Sequence, residues 1–248
     1  MTLEMQHISV SFGKKAILHD ISSVVEEGSM TAVMGPNGCG KTTLLRCVAG
    51  LLKPQSGVAL VDGRSAQAYT ARELARRVAF VRQQQSTDFD FTAEEIVLMG
   101  RNPYQSRLQG DTAEDRATVE RCMRQTGVWH LRQARPAAMS GGELQRVMIA
   151  RALAQATPLL LMDEPVSNLD IAHQIELMRL LGEADGRTVL IVIHDMNLAL
   201  RFCQRLLLLH DGRLVYDGPT ADGLTPENIA RVYGVGSHLA DGRIVLDY

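Results

Sequence analysis

A glycine-rich loop between an apolar segment and a helical pattern constrains this chain more than any other feature. The loop fits the pattern G-x-x-x-x-G-K-[ST] at every fixed position and follows the apolar residues 30–34. Its glycines let backbone N–H groups point inward at phosphate oxygens, and the following helix N-terminus favours an anion. The pattern predicts a strand–loop–helix unit that binds a nucleoside triphosphate. The loop residues are Gly35, Pro36, Asn37, Gly38, Cys39, Gly40, Lys41, Thr42 and Thr43.

Two side chains of this loop have predicted roles. Lys41 would reach the β- and γ-phosphates, and the Thr42 hydroxyl would hold Mg²⁺. The alternative is a chance glycine turn, which the strand before the loop and the helix after it disfavour.

Composition excludes several classes of protein. The 248 residues are 46% hydrophobic, which excludes a disordered chain, and the formal charge of −2 gives no support for a nucleic-acid surface. The four cysteines have no metal or disulfide spacing, so a reducing compartment is the expected setting. The apolar runs are far shorter than the roughly 20 residues that span a bilayer, so we expect any membrane role to be peripheral.

The hydrophobic pattern predicts one α/β domain over residues 1–248. Alternating residues at the start indicate an antiparallel β subdomain. The α/β pattern of residues 1–90 and 156–248 indicates the core, and residues 91–155 indicate an inserted helical subdomain. The expected fold class is therefore a P-loop NTPase (RecA-like) core with these two additions.

Two apolar segments, 158–162 and 188–193, end in charged or polar residues and are typical of parallel strands buried on both faces. Ligands bind beyond the carboxyl ends of such strands. We expect the Asp163 carboxylate to help hold Mg²⁺ and Glu164 to orient and deprotonate an attacking water. His194 would donate a hydrogen bond to the γ-phosphate. The alternative is an acidic turn with a structural histidine.

Residues 140–143 match a capping box for a helix predicted over residues 143–154. Gly141 and Gly142 are poor helix starters, each costing roughly 1 kcal/mol relative to alanine. They are explained if a phosphate must approach the bare backbone at this helix N-terminus.

These motifs, in their order, resemble those of ATP-binding-cassette (ABC) ATPases. Residues 139–146 resemble the LSGGQ-type sequence, residues 163–165 the second nucleotide motif, and residues 167–170 the D-loop. His194 resembles the switch histidine. Gln83 resembles the Q-loop glutamine, a catalytic and magnesium-binding residue, although the register among Gln83, Gln84 and Gln85 stays open.

The resemblance implies a head-to-tail dimer of two copies that bind ATP and Mg²⁺ between them. In such a dimer four residues of one copy would contact the nucleotide bound to the other copy, and Asp170 would lie at the same dimer interface. Phe12 would stack on adenine; the alternative is an ordinary core strand residue. The four residues are Ser140, Gly141, Gly142 and Glu143.

Cys39 occupies a position in the loop where the family has a small residue. Beside a helix N-terminus its thiol is expected to have a lowered pKa and higher reactivity. The alternative is a buried, inert thiol.

Three further segments, residues 96–103, 169–174 and 232–235, resemble the ferric-chelate, haem and vitamin B12 importers within this family. That resemblance implies an ATPase subunit that works with a membrane permease and, indirectly, a periplasmic substrate-binding protein. It would sit peripherally at the cytoplasmic face of the bacterial inner membrane. A ferric siderophore or ferric citrate is the first choice of cargo, then haem, then cobalamin. The alternatives are an exporter cassette and a soluble, non-transport ABC ATPase.

Overall fold

Short apolar strands alternate with helices through most of the chain, as the hydrophobic pattern predicts. The structure is a computed structural model, and it describes residues 2–83, 90–105, 110–183 and 186–247. The strands are β1 (Leu3–Phe12), β2 (Lys15–Val25), β3 (Met30–Met34), β4 (Ser56–Val61), β5 (Arg64–Ser65), β6 (Val78–Val81), β7 (Leu159–Asp163), β8 (Thr188–Val192), β9 (Arg205–His210), β10 (Arg213–Pro219), β11 (Ser237–Ala240) and β12 (Arg243–Leu246). The helices are α1 (Lys41–Val48), α2 (Ala71–Ala75), α3 (Ala93–Leu98), α4 (Ala113–Gln125), α5 (Gly141–Ala154), α6 (Ile171–Gly182), α7 (Met196–Phe202), α8 (Thr220–Gly223) and α9 (Pro226–Tyr233).

A six-stranded sheet in the order β10-β9-β3-β8-β7-β6 forms the centre of the molecule. Its strands β9, β3, β8, β7 and β6 run parallel, and β10 pairs antiparallel at one edge. Every residue of β3, β7 and β8 is buried, because helices and a second sheet cover both faces. The carboxyl ends of β3, β6, β7 and β8 consequently lie along one edge.

A second, antiparallel sheet in the order β2-β1-β4-β5 packs against one face of the central sheet. Side chains of the central strands alternate between two hydrophobic clusters, as the two-residue period of a strand requires. Val33 and Leu161 face the second sheet and α1, whereas Ala32 and Leu160 face the helices on the other side. The site therefore rests on a core that is packed on both faces.

The segment predicted to be helical contains α3, α4 and α5. Capping boxes at Thr92, Thr112 and Ser140 open these helices, since each side chain accepts a bond from a backbone N–H three residues on. Helix α5 begins at Gly141, two residues before its predicted start at Glu143. The Ser140 cap places both glycines inside the first turn.

The predicted fold class is confirmed: an α/β sheet carries an antiparallel subdomain at one face and three helices at the other. The predicted boundaries near residues 90 and 155 stay a prediction. Helices α3 to α5 share one hydrophobic cluster with the central sheet, so that Val119 and Met123 lie in the same core as Ala79 and Leu160.

Among the described residues, no helix has both the length and the apolar character that crossing a membrane would require.

A buried ion pair ties α4 to the chain that follows α3. Arg101 Nε donates to Asp115 Oδ1 at 2.8 Å, and both side chains are nearly buried. Because removal of one partner leaves the other charge buried and unpaired, Asp115→Ala should lower the free energy of unfolding by about 3 kcal/mol. Chemical denaturation of the full chain measures this.

The matched control is the exposed pair of Glu120 and Arg124 on the same helix, where Glu120→Ala should change stability by less than about 0.5 kcal/mol. The hydrogen bond from Arg101 lowers the pKa of Asp115. Its stabilising effect is therefore present at neutral pH and lost as pH falls through that lowered pKa. Equal effects of the two substitutions at pH 7 would contradict a structural role for the buried pair.

Candidate active site

The glycine-rich loop joins β3 to α1, and three of its glycines have backbone conformations that disfavour other residues. Gly35, Gly38 and Gly40 have φ values of +144°, +81° and +105°. A Cβ atom on Gly35 would lie 2.1 Å from the carbonyl oxygen of Leu209, and one on Gly40 would lie 2.5 Å from Leu18 Cδ2. The loop is thus held against β9 and β2 in a shape that only glycine permits at these points.

The Lys41 side chain folds back into this loop. Its Nζ donates to the carbonyl oxygens of Gly35 at 2.8 Å and Pro36 at 2.9 Å, and the residue is only 6% exposed. A buried ammonium whose partners are neutral carbonyls attracts an anion strongly. The loop therefore offers a cation and a helix N-terminus to a phosphate group.

Asp163 ends β7 beside α1 and is 2% exposed. Burial raises the pKa of this carboxyl, and a hydrogen bond with the Thr42 side chain opposes that effect. Its Oδ1 atom has no hydrogen-bond partner among the described residues. A buried, unpaired carboxylate oxygen next to a threonine hydroxyl provides the hard oxygen ligands that Mg²⁺ prefers.

The residues of this site fit a magnesium ion that would take most of its ligands from phosphate groups and from water. The described residues contain no group of three or more His, Cys, Asp or Glu side chains that could hold a metal together. Mg²⁺ in nucleotide sites is bound by one or two protein oxygens, by phosphates and by water, so Thr42 and Asp163 suffice.

The next residue, Glu164, brings three predicted site residues together. Gln83 Nε2 donates to its Oε2 at 2.6 Å, and His194 Nε2 lies 2.8 Å from its Oε1. Because a carboxylate oxygen only accepts, Nε2 of His194 carries the proton in this arrangement. The three side chains follow β6, β7 and β8, whose carboxyl ends meet at one edge of the sheet.

The backbone of Glu164 has φ of +51°, which is uncommon for a residue with a side chain. Its N–H donates to the carbonyl of Val192, and its own carbonyl accepts from the hydroxyl of Ser167 at 3.0 Å. Such conformations persist only where surrounding contacts hold them, and they concentrate at functional sites. The Glu164 side chain is 16% exposed.

Residues 140–143 form a closed capping box at the start of α5. The Ser140 hydroxyl donates to Glu143 Oε2 at 2.7 Å, and this bond lowers the pKa of Glu143. A Cβ on Gly141 would meet no atom of the described residues within 4 Å, whereas one on Gly142 would lie 3.0 Å from the Asn168 carbonyl oxygen. Packing within the chain therefore does not explain the glycine at 141.

The structure does not bring the capping box to the phosphate loop. Within the described residues, no hydrogen bond or ion pair joins residues 140–143 to residues 35–43. Asp170, which follows the loop that touches Gly142, caps α6 by accepting from the His173 N–H at 2.9 Å. That hydrogen bond lowers the pKa of Asp170, whose side chain is 66% exposed.

Exposure decides one of the open alternatives. Phe12, at the end of β1, is 52% exposed, so its assignment as a core strand residue is wrong. Gln83 contacts Glu164, whereas Gln84 and Gln85 lie outside the described residues, so the register among the three glutamines stays open.

The expectation of a lowered pKa at Cys39 is wrong. The thiol is 5% exposed, and burial raises its pKa although the Lys41 charge opposes this effect. The helix N-terminus cannot compensate for the loss of water around a thiolate.

Sequence reasoning missed Asn197, which lies three residues after His194. Its side chain makes two hydrogen bonds with the backbone of Ile244 and so joins α7 to β12. This contact between distant segments leaves no local pattern in the sequence.

The comparisons with known proteins agree on one family. The profile of the family described as ABC transporter matches residues 18–167. The chain is 40% identical to the cobalamin import ATP-binding protein BtuD of Halobacterium salinarum over 99% of its own length, and it spans only 63% of that relative. It is 38% identical to the ferric enterobactin transport ATP-binding protein FepC of Escherichia coli and 43% identical to the hemin import ATP-binding protein HmuV of Bordetella avium. These matches cover 96% and 95% of this chain, and 89% and 93% of the relatives.

The similar solved structures come from the same family. An inward-facing conformation of a metal-chelate type ABC transporter is similar over all of this chain and 98% of its own, with a TM-score of 0.84 and 26% identity. A dimeric bacterial ABC transporter cassette is similar over 88% of this chain and 98% of its own, with a TM-score of 0.78 and 29% identity.

The burial of the four cysteine side chains can be tested with a thiol reagent. All four are buried, and burial raises the pKa of each thiol. We expect a maleimide to leave the folded protein unlabelled for at least ten times as long as the protein unfolded in urea, as followed by mass spectrometry. Rapid labelling of Cys39 in the folded state would contradict the burial of the loop.

Proposed function

The chain belongs to the ABC transporter family, and we propose that it is the ATP-hydrolysing subunit of an importer that takes up an iron chelate. The observation that carries the enzymatic part is the Glu164 carboxylate, held between Gln83 and His194 beside Asp163. This arrangement provides a proton acceptor at the place where a γ-phosphate would lie if the loop before α1 holds the phosphate chain.

The phosphate loop and Lys41 bind the triphosphate in this proposal. Thr42 and Asp163 hold Mg²⁺, and Gln83 contributes a further oxygen. When bound, the ion neutralises charge on the phosphate oxygens. Phe12 stacks on the adenine, since its ring is exposed at the end of β1.

Glu164 orients the attacking water and accepts its proton. The bond from His194 keeps one carboxylate oxygen in place, and the bond from Gln83 keeps the other. These two groups thus position the base before the reaction, which lowers the cost of reorganisation in the transition state. Movement of His194 towards the γ-phosphate would let it donate there.

A second copy of the chain completes the site. Among the described residues, no hydrogen bond or ion pair joins residues 140–143 to the phosphate loop of the same chain, and the open side of Gly141 lets a phosphate approach the backbone. A head-to-tail dimer places these groups against the partner's γ-phosphate and Asp170 at the same seam. The similarity to a dimeric cassette supports this arrangement.

Import of an iron chelate is supported by the names of the relatives. Ferric enterobactin, hemin and cobalamin are all bulky metal chelates, and a similar solved transporter is described as metal-chelate type. The partners are then a membrane permease and, indirectly, a periplasmic substrate-binding protein. The subunit works at the cytoplasmic face of the inner membrane. Haem or cobalamin is the alternative cargo.

Replacement of the proposed base tests the reaction. Glu164→Gln should lower kcat by about 100- to 1,000-fold, because an amide cannot accept the water proton, while ATP binding is retained. Dimers that persist with ATP on gel filtration are expected for this variant.

Glu73→Gln, in a capping box on α2, is the matched control and should stay within twofold of the unaltered protein. Turnover by Glu164→Gln at the unaltered rate would show that another group is the base.

Uptake measurements test the cargo. A host strain lacking this protein should lose uptake of labelled ferric siderophore or ferric citrate, and the unaltered gene but not Glu164→Gln should restore it. Haem and cobalamin serve as parallel substrates. Loss of haem or cobalamin uptake alone would assign the alternative cargo, and no loss of any would contradict an import function.

A further inference from the structure

One glutamine side chain holds the loop that joins Glu164 to Asp170; residues 165–169 are called the connecting loop below. Gln174 lies near the start of α6, and its Nε2 donates to the carbonyl oxygens of Val166 and Leu169, each at 3.0 Å. A side-chain amide carries two N–H donors, so Gln174 can spend both on this one loop. The loop is thereby fixed to α6 at two points.

The connecting loop is a turn with a buried base and an exposed tip. The side chains of Val166 and Leu169 are each 7% exposed and belong to the hydrophobic cluster of the central sheet and helices α3 to α5. The Leu169 N–H donates to the Val166 carbonyl at 3.2 Å, which closes the turn. Ser167 and Asn168, between them, are exposed. Gln174 therefore pairs with the two residues that anchor the turn.

One side of the connecting loop contacts the proposed base. The Ser167 hydroxyl donates to the Glu164 carbonyl oxygen at 3.0 Å. Glu164 has φ of +51°, a conformation that a residue with a side chain keeps only where surrounding contacts hold it. A displaced loop would remove the contact from Ser167, and the Glu164 backbone would then be free to relax.

The other side of the loop contacts the groups assigned to the dimer interface. The Asn168 carbonyl oxygen would lie 3.0 Å from a Cβ on Gly142, and Leu169 Cδ2 would lie 3.6 Å from it. The next residue, Asp170, caps α6 and has a side chain that is 66% exposed. The loop thus lies between Glu164 and both groups, Gly142 and Asp170, that would meet a second copy.

We propose that Gln174 is a positioning residue, which keeps the connecting loop in the shape that lets Glu164 act when a second copy binds. This inference rests on the proposed dimer and on Glu164 as the base. Among the described residues, no hydrogen bond or ion pair joins Gln174 to the phosphate loop, residues 35–43. Its effect therefore falls on the chemical step and not on the affinity for nucleotide.

The test replaces Gln174 in the full chain by two residues that cannot donate. Gln174→Glu keeps the shape of the side chain but presents only acceptors to the two carbonyl oxygens, and Gln174→Met removes the donors without adding a charge. For both variants we expect kcat at saturating MgATP to fall about five- to twentyfold, as loss of one or two hydrogen bonds implies. The Kd for ADP, measured by calorimetry, should stay within twofold of the unaltered protein.

Gln155→Glu is the matched control. The Gln155 Nε2 atom also donates to two carbonyl oxygens, those of Ala75 at 2.6 Å and Val78 at 3.0 Å, and these bonds tie the end of α5 to the chain between α2 and β6. The thermal unfolding midpoint should fall in Gln155→Glu and in Gln174→Glu, because each loses two such bonds. The kcat of Gln155→Glu should stay within twofold of the unaltered protein.

An unchanged kcat in both Gln174 variants would overturn the inference. So would an equal fall of kcat in Gln155→Glu, which would indicate a general loss of stability, or a fall in Gln174→Glu alone, which would assign the effect to the added charge. A rise in the Kd for ADP that matches the fall in kcat would contradict a role confined to the chemical step. If the unaltered protein hydrolyses no ATP, the proposed function fails and this inference fails with it; if it hydrolyses ATP and the Gln174 variants keep its rate, this inference alone fails.

Discussion

The shared edge formed by β3, β8, β7 and β6 is the constraint on which the rest of the structure depends. The parallel register pairs Val33 with Val192 and Asp163 with Val192, so three neighbouring strands end at one level. The groups of the candidate active site come directly after these strands: the phosphate loop follows β3, Glu164 follows β7, and His194 follows β8. A slip of one residue in any pair would turn these side chains away from one another.

Burial at this edge leaves charges that the chain itself does not fully compensate. In the part of the chain that the structure describes, the Lys41 ammonium has only backbone carbonyls as hydrogen-bond partners, and one oxygen of Asp163 has none. A buried charge without a charged partner is costly, and both of these groups are complementary to a phosphate chain with its divalent cation. The positive φ of Glu164 is a further cost at the same place. Energetically unfavourable features are thus concentrated at the carboxyl edge of the central sheet, which indicates a functional site there.

Within the described residues, no hydrogen bond or ion pair joins the capping box at Ser140 to the phosphate loop. This separation is the physical basis for the proposal that a second copy of the chain supplies the box to the site.

The sequence by itself determined what depends on local chemistry. The glycines of the phosphate loop, the capping box at Ser140 and the buried parallel strands follow from residue type and spacing, and the fold class followed from them. Only the tertiary structure decided which side chains meet. Gln83 and His194 lie 81 and 30 residues from Glu164 and contact it because three strands align. The raised pKa of Cys39 and the hydrogen bonds between Asn197 and Ile244 likewise depend on packing between distant segments, since burial and contact are properties of the folded chain and leave no local pattern in the sequence.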